Sequence, residues 1–188
     1  MNKVKEYFDQ IAPQYVHEDN ERIDELLKSL NLKKNSRILD LGAGRGIISN
    51  KLQVLYDSDV VALDLSEKMI EYARLNTNNP RVNFINEDYY EFDAEPFDAI
   101  VCFDAYPHFL DVGQFVSKSG LLIRKNGILA IIHDCPREEL NTHHKQHAMG
   151  VSRQLKPLQE EVKPFLELFE IVSLVENDKI IKMILRRK

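Results

Sequence analysis

Five short apolar runs alternate with segments whose apolar residues recur at helical spacing. They are RILDL (37–41), DVVALDL (59–65), RVNFINED (81–88), FDAIVCFD (97–104) and GILAIIHD (127–134). Strands separated by a helix cannot form a hairpin; they run parallel, with the helices covering the sheet. The expected helices span Gly46 to Tyr56, Ser66 to Asn76 with Ser66 as the cap, and Val112 to Leu122. Two amphipathic helices precede the first strand, marked by Val4, Tyr7, Phe8 and Ile11 and by Ile23, Leu26, Leu27 and Leu30. EIVSLVE (170–176) and KIIKMILRR (179–187) read as a hairpin turning on Asn177 and Asp178. The chain is therefore expected to be α/β, with a doubly wound, seven-stranded sheet that is mostly parallel and has one antiparallel strand from the C-terminal hairpin.

A chain of 188 residues, 44% hydrophobic, suits one domain with a sizeable core. A formal charge of −5 disfavours nucleic acid as a partner, because phosphate binding depends on many Lys and Arg releasing counterions. No run approaches a membrane span, and the start, MNKVKEYFDQ, lacks a signal-type apolar stretch, so a cytoplasmic location is expected. Cys102 and Cys135 are too few for a disulfide framework and are expected as reduced thiols.

In ILDLGAGRG, Gly42, Gly44 and Gly46 follow the first strand, where parallel sheets bind ligands. A dinucleotide fingerprint would need glycine at 47, where Ile47 stands. A phosphate loop would continue in Gly-Lys-Ser or Gly-Lys-Thr, and it does not. What remains is Gly-x-Gly-x-Gly flanked by acids, Asp40 before it and Asp64 at the end of the second strand. A carboxylate at the second position can accept both hydroxyls of a ribose. The plain alternative is a tight strand-to-helix turn.

ILDLGAGRG, VVALDLSEKMIEYAR, NFINEDYYEF and FDAIVCFDAYPHF together resemble, in order and spacing, the motifs of class I S-adenosylmethionine-dependent methyltransferases. YFDQIAPQY is similar to the N-terminal segment of the small-molecule enzymes of ubiquinone and menaquinone biosynthesis. The resemblance implies a Rossmann-like methyltransferase domain over 1–188, with a helical lid at 1–34 and a cofactor-binding core at 35–188 that includes a lid-like segment around 134–157. It implies S-adenosylmethionine as cofactor, S-adenosylhomocysteine as product, and a small-molecule acceptor. Gly42 and Gly44 would let the backbone approach the amino-acid part, and Asp40 would favour its ammonium directly or through water. Asp64 would hold the ribose, Asp88 the adenine amino group with Tyr89 beside it, and Leu65 and Met69 would flank the adenine. Phe103 and Asp104 would lie where the methionine moiety and acceptor meet, and Tyr15 would be the lid residue nearest the cofactor. Family members that methylate adenine N6 or glutamine carry Asn-Pro-Pro-Tyr or Asp-Pro-Pro-Tyr after the fourth strand; DAYPHF departs from it and disfavours those acceptors. A noncatalytic S-adenosylmethionine-binding or metal-binding regulator on the same fold is the alternative.

The six histidines are unevenly placed. His17 falls in the N-terminal segment, His108 follows the fourth strand, His133 ends the fifth, and His143, His144 and His147 crowd the next segment. His133 is the expected base, its backbone fixed at a strand end, and His108 the second catalytic candidate, matching the second of two adjacent histidines in the family's acceptor-side segment. His143 and His147 have the spacing of one helical turn, with His133 and Asp134 as further donors, but the Glu of a His-Glu-x-x-His site is absent. A metal is admitted but not favoured. From Asp134 to Leu168, only the stretch around Val162, Phe165, Leu166 and Phe169 has a helical apolar period, which leaves the remainder as a lid.

Overall fold

The computed structural model describes residues 2–16 and 20–188, so His17 lies outside the described residues. In chain order the helices are α1 (Lys3–Ile11), α2 (Glu21–Lys28), α3 (Ile47–Tyr56), α4 (Glu67–Asn76), α5 (Val112–Leu122), α6 (Arg137–His147) and α7 (Leu158–Glu161). The strands are β1 (Ile38–Leu41), β2 (Val60–Asp64), β3 (Val82–Asn86), β4 (Phe97–Phe103), β5 (Ile123–His133), β6 (Phe169–Glu176) and β7 (Ile181–Arg187). They form one sheet in the order β3-β2-β1-β4-β5-β7-β6, in which β7 alone runs antiparallel to both its neighbours. The expected doubly wound sheet is present, and its order reverses at β1, opening a crevice at the carboxyl ends of β1 and β4.

Strand pleating sorts the apolar side chains into two cores. Along β4, Ile100 and Cys102 join Leu39, Leu129 and Phe115 on one face, while Val101 and Phe103 join Ile38, Ala62 and Ile132 on the other. The second core also takes Ile23, Leu26 and Leu27 of α2, packed near Leu52 and Tyr56 of α3; the Tyr56 hydroxyl donates to the Leu27 carbonyl. Within the segment expected as a lid, α2 is thus part of the core. By contrast, α1 buries no residue. It is tied down by Asp9, whose carboxylate accepts from Ser66 Oγ at 2.7 Å and from the Lys68 amide at 3.2 Å, at the start of α4.

Three expected boundaries move. The C-terminal turn occupies 177–180 rather than two residues, because Asn177 Oδ1 accepts the amides of Lys179 and Ile180 and takes them out of the ladder. Strand β5 starts at Ile123, directly after α5, and its pairing with β4 shifts register between Phe97 and Ala99. The helix expected around Val162–Phe169 is instead the short α7 and a 3₁₀ turn, Lys163–Phe165, since Pro164 cannot continue an α-helix. Helix α6 fills the region read as a lid. It buries only Leu140 and His144, so it has no apolar stripe to read. Among the described residues, no helix is long and apolar enough to cross a membrane.

Candidate functional site

The glycine loop crosses the crevice between β1 and β4. Gly42 has φ +77°, and a Cβ on it would lie 2.4 Å from the Ala105 Cβ, so only glycine lets the two loops approach. Most of the loop's amides are spent internally. Those of Gly42 and Ala43 donate to the Leu63 carbonyl, Gly44 to Asp64 Oδ2 at 2.8 Å, and Gly46 to the Ala43 carbonyl. A phosphate-binding loop points such amides at its ligand; this one offers a close backbone surface with acids around it. That character suits a cationic amino-acid and nucleoside ligand rather than a nucleotide phosphate.

Beside the loop lies a cavity of about 310 Å³. Of the sequence-derived cofactor residues it collects Gly42, Gly44, Asp64, Leu65, Met69, Asp88, Tyr89, Phe103, Asp104 and Tyr15 in its wall. Asp64 sits at the end of β2, where its two oxygens accept the Gly44 and Ser66 amides at 2.8 Å each. Burial pushes its carboxyl up to about 6, against the pull of those amides. Asp88 caps its own turn by accepting the Tyr90 amide at 3.0 Å, and Tyr89 is fixed by a 2.8 Å hydroxyl bond to Ser119. Asp40 is the exception: it is 1% exposed, lines neither this cavity nor the next, and accepts from Ser49 Oγ in α3. Burial pushes it up to about 7. Asp40 is thus a buried brace between β1 and α3, set behind the cavity wall rather than in it.

A second cavity, of about 650 Å³, adjoins the first. Phe8, Tyr15, Asp104 and His108 line both. Tyr7 and Ile11 face only the second, so the apolar face of α1 divides between the two spaces. Burial, with Asp104 and Asp64 nearby, raises the Tyr15 phenol and keeps it protonated. His108 rests in a 3₁₀ turn, Tyr106–His108, with Nδ1 2.9 Å from the Val151 carbonyl. That contact assigns the proton to Nδ1 and leaves Nε2 as an acceptor. Burial lowers His108 to about 4, so the ring is uncharged at neutral pH.

The other histidines separate by environment. His133 is fully buried at the end of β5 and lines neither cavity. His144 and His143 line the second cavity, with His144 also lowered to about 4 by burial. His143 and His147 approach to 4.9 Å between ring centroids, one turn apart on α6. Among the described residues, no three metal-competent side chains converge. Cys102 is buried and Cys135 half-buried, both as free thiols.

Sequence reasoning missed the outer wall. Glu138, Glu139 and Thr142 of α6 complete the second cavity, and they belong to a helix with no apolar signature. It also missed the anchor behind His108, where Glu161, 4% exposed, accepts from the Tyr106 hydroxyl at 3.0 Å and pairs with Arg153 at 2.7 Å. The Arg153 amide donates to the Pro107 carbonyl, pinning the Tyr106–His108 turn to the β5–β6 connection. The sequence separation of these partners hid them.

Residues 38–127 match the family model described as a methyltransferase domain. A ubiquinone biosynthesis O-methyltransferase of Pelagibacter ubique is 30% identical over 130 residues, covering 66% of this chain and 52% of the relative. A malonyl-[acyl-carrier protein] O-methyltransferase of Acetivibrio thermocellus is 33% identical over 109 residues, covering 56% and 38%. The chain thus spans about half, or less, of the length of these curated relatives. Among solved structures, a Haloferax volcanii methyltransferase in complex with the Trm112 methyltransferase activator superposes with a TM-score of 0.76 at 13% identity, covering 96% of this chain and 97% of that one. Phosphoethanolamine N-methyltransferase 2 of Haemonchus contortus, solved with S-adenosyl-L-methionine, gives 0.69 at 20% identity, covering 89% and 41%. By motif order, sheet topology and family match, this chain carries a methyltransferase domain of the class I, S-adenosylmethionine-dependent type.

Proposed function

We propose that the chain transfers a methyl group from S-adenosylmethionine, seated in the cavity beside the glycine loop, to a small-molecule acceptor in the adjoining cavity. One observation carries this reading: the two spaces meet at four shared side chains, Phe8, Tyr15, Asp104 and His108, so a donor and an acceptor can face each other there. The second cavity, at about 650 Å³, has the size of a small-ligand site. The crowded cradle at Gly42, the half-buried Asp64 and the internally bonded loop amides fit the cofactor's parts.

Asp64 holds the ribose end, Asp88 receives the adenine amino group, and Leu65, Met69 and Tyr89 supply apolar walls. The bound cofactor supplies an activated methyl group on a sulfonium. The protein's contribution is then alignment and exclusion of water, a class of effect worth up to about 7–11 kcal/mol in model reactions. Phe8 and Tyr15 close the junction from the α1 side, which narrows the N-terminal lid to α1 and the residues just after it. His108, uncharged and with Nε2 available, is better placed than His133 to take a proton from an acceptor. The free thiols suit the reducing cytoplasm expected from the sequence.

The test is release of S-adenosylhomocysteine by the purified protein with pooled phenols, thiols, amines and carboxylates. Turnover with any pool supports the reading. Cofactor binding without product from any pool favours the noncatalytic regulator instead.

A further inference from the structure

Segment 151–156, which lines neither cavity, holds His108 at three points. The Val151 carbonyl lies 2.9 Å from Nδ1 of the ring. The Arg153 amide donates to the Pro107 carbonyl at 3.0 Å, and its Nε donates to the Phe109 carbonyl at 3.4 Å. The residues on both sides of His108 are therefore tied to one arginine. A carbonyl can only accept, so the ring carries its proton on Nδ1 for as long as Val151 stays in place. Phe8 and His144 also meet the ring edge-on, at 4.7 and 5.0 Å between centroids. Those contacts limit its tilt but do not choose between its nitrogens.

The segment is itself held from two sides. Toward α6, Asn141 Oδ1 accepts the Leu155 amide at 2.8 Å and Nδ2 donates to the Leu155 carbonyl at 2.9 Å. Toward the core, Glu161 accepts the Lys156 amide and the Tyr106 hydroxyl, each at 3.0 Å, and stands 2.7 Å from Arg153 Nη2. The Arg153 guanidinium lies over the Tyr106 ring, 4.5 Å from its centroid. Withdrawing such a charge pair from water is costly, and apolar side chains of similar volume often replace one with no loss of stability. What they lack is the directionality that fixes residues 151–153 against the turn carrying His108.

Resting on the reading of His108 as the proton acceptor in methyl transfer, we propose that Tyr106, Arg153 and Glu161 are positioning residues for that step. They fix segment 151–156 so that the Val151 carbonyl keeps the His108 proton on Nδ1 and leaves Nε2 free. None of the three lines either cavity, so each acts through His108. In the transfer the acceptor's bond to hydrogen breaks and its proton binds Nε2. Val151 goes on accepting from Nδ1 in the imidazolium, which later returns the added proton to water.

The test is nitrogen NMR of protein isotopically labelled in its histidine rings, near neutral pH, with the His108 signals assigned by their loss in His108→Gln. His108 should favour the Nδ1-protonated tautomer by about tenfold or more. The triple variant Tyr106→Phe, Arg153→Met, Glu161→Met should keep or raise the urea midpoint and bring that preference to about threefold or less. Arg153→Lys should hold it within about twofold of the parent. With any pooled acceptor that is turned over, the triple variant should lower kcat by about tenfold and leave S-adenosylhomocysteine affinity unchanged. A folded triple variant with the parent's tautomer ratio overturns the proposal, as does a parent with no Nδ1 preference. If the triple variant does not fold, Glu161→Gln removes the charge alone: a preference reduced about threefold supports the proposal, and an unchanged one overturns it. The tautomer is read without turnover, so failure of S-adenosylhomocysteine to bind would overturn the methyl-transfer reading and leave the tautomer result standing.

Discussion

His133 and Asp104 meet across the carboxyl ends of β5 and β4, with the imidazole Nδ1 3.3 Å from the carboxylate Oδ1. The separation allows electrostatic contact, yet the angles do not make a hydrogen bond, and both ring nitrogens are buried without a hydrogen-bonding partner. Asp104 itself has φ +52°, a conformation that non-glycine residues adopt rarely and that here turns its carboxylate to the junction of the two cavities. His133 therefore stands behind a residue that lines both cavities.

The first prediction follows from that arrangement. As a positioning residue, His133 replaced by Asn should lower turnover by roughly tenfold or less and leave the shape of the pH–rate profile intact. His108→Asn, by contrast, should cost about 100-fold or more if its Nε2 takes the proton. The pH–rate profiles of both variants decide it: a profile reshaped by His133→Asn alone would return the base to His133.

Cofactor affinity should depend on pH through Asp64. Its carboxyl is raised to about 6, so it is ionised above that pH and protonated below it. Ribose hydroxyls donate to the charged form more strongly, so affinity should be at its plateau above about pH 7 and weaken as pH falls through 6. Asp64→Asn should bind at least tenfold more weakly at pH 7.5, as loss of about 1.5–3 kcal/mol for a charge-assisted hydrogen bond requires. Calorimetry from pH 5 to 8 checks both the slope and its disappearance in the variant.

A further expectation concerns the close approach of the glycine loop to the turn after β4. Gly42→Ala forces a Cβ to 2.4 Å from the Ala105 Cβ at φ +77°, so it should destabilise the fold by about 2–4 kcal/mol and weaken cofactor binding. Ala105→Gly in the same chain removes the clash and leaves only the backbone strain. Urea denaturation of the single and double variants should show partial recovery, whereas additive losses would mean that the contact does not limit the loop.

The sheet was legible because each strand is an unbroken apolar run between helical segments, and the wall of the first cavity was legible because its residues follow strands β1 to β4 in short stretches of sequence. Asp64 and Asp88 could be located from strand ends alone. The wall of the second cavity was not. Helix α6 presents Glu138, Glu139 and His144 from a polar surface with no apolar period, although Pro136 before it and the acids in its first turn were start signals. The side-chain direction of His133 was not legible for a related reason: a strand end fixes where a backbone lies, but whether its side chain turns to the cavity or into the core depends on the pleat and on neighbours distant in sequence. The Val151 carbonyl, which sets the His108 tautomer, lies 43 residues away in the chain.

The buried histidine of α6 gives the last prediction. His144 has a pKa of about 4 in the fold, lowered chiefly by burial, against the usual 6.5 in an unfolded chain. Between those values the unfolded chain binds a proton that the folded chain does not. The contribution of His144 to stability is therefore intact above about pH 6.5 and is lost as pH falls toward 4. Asp40 and Asp64, raised in the fold, act in the opposite sense over much of the same window, so the whole protein's pH dependence hides the effect. Comparison with His144→Leu isolates it. Relative to the parent, the leucine variant should gain on the order of 2–3 kcal/mol between pH 7.5 and pH 4.5. Urea titrations at the two pH values measure this difference, and an unchanged gap between the two proteins would show that His144 titrates normally in the fold.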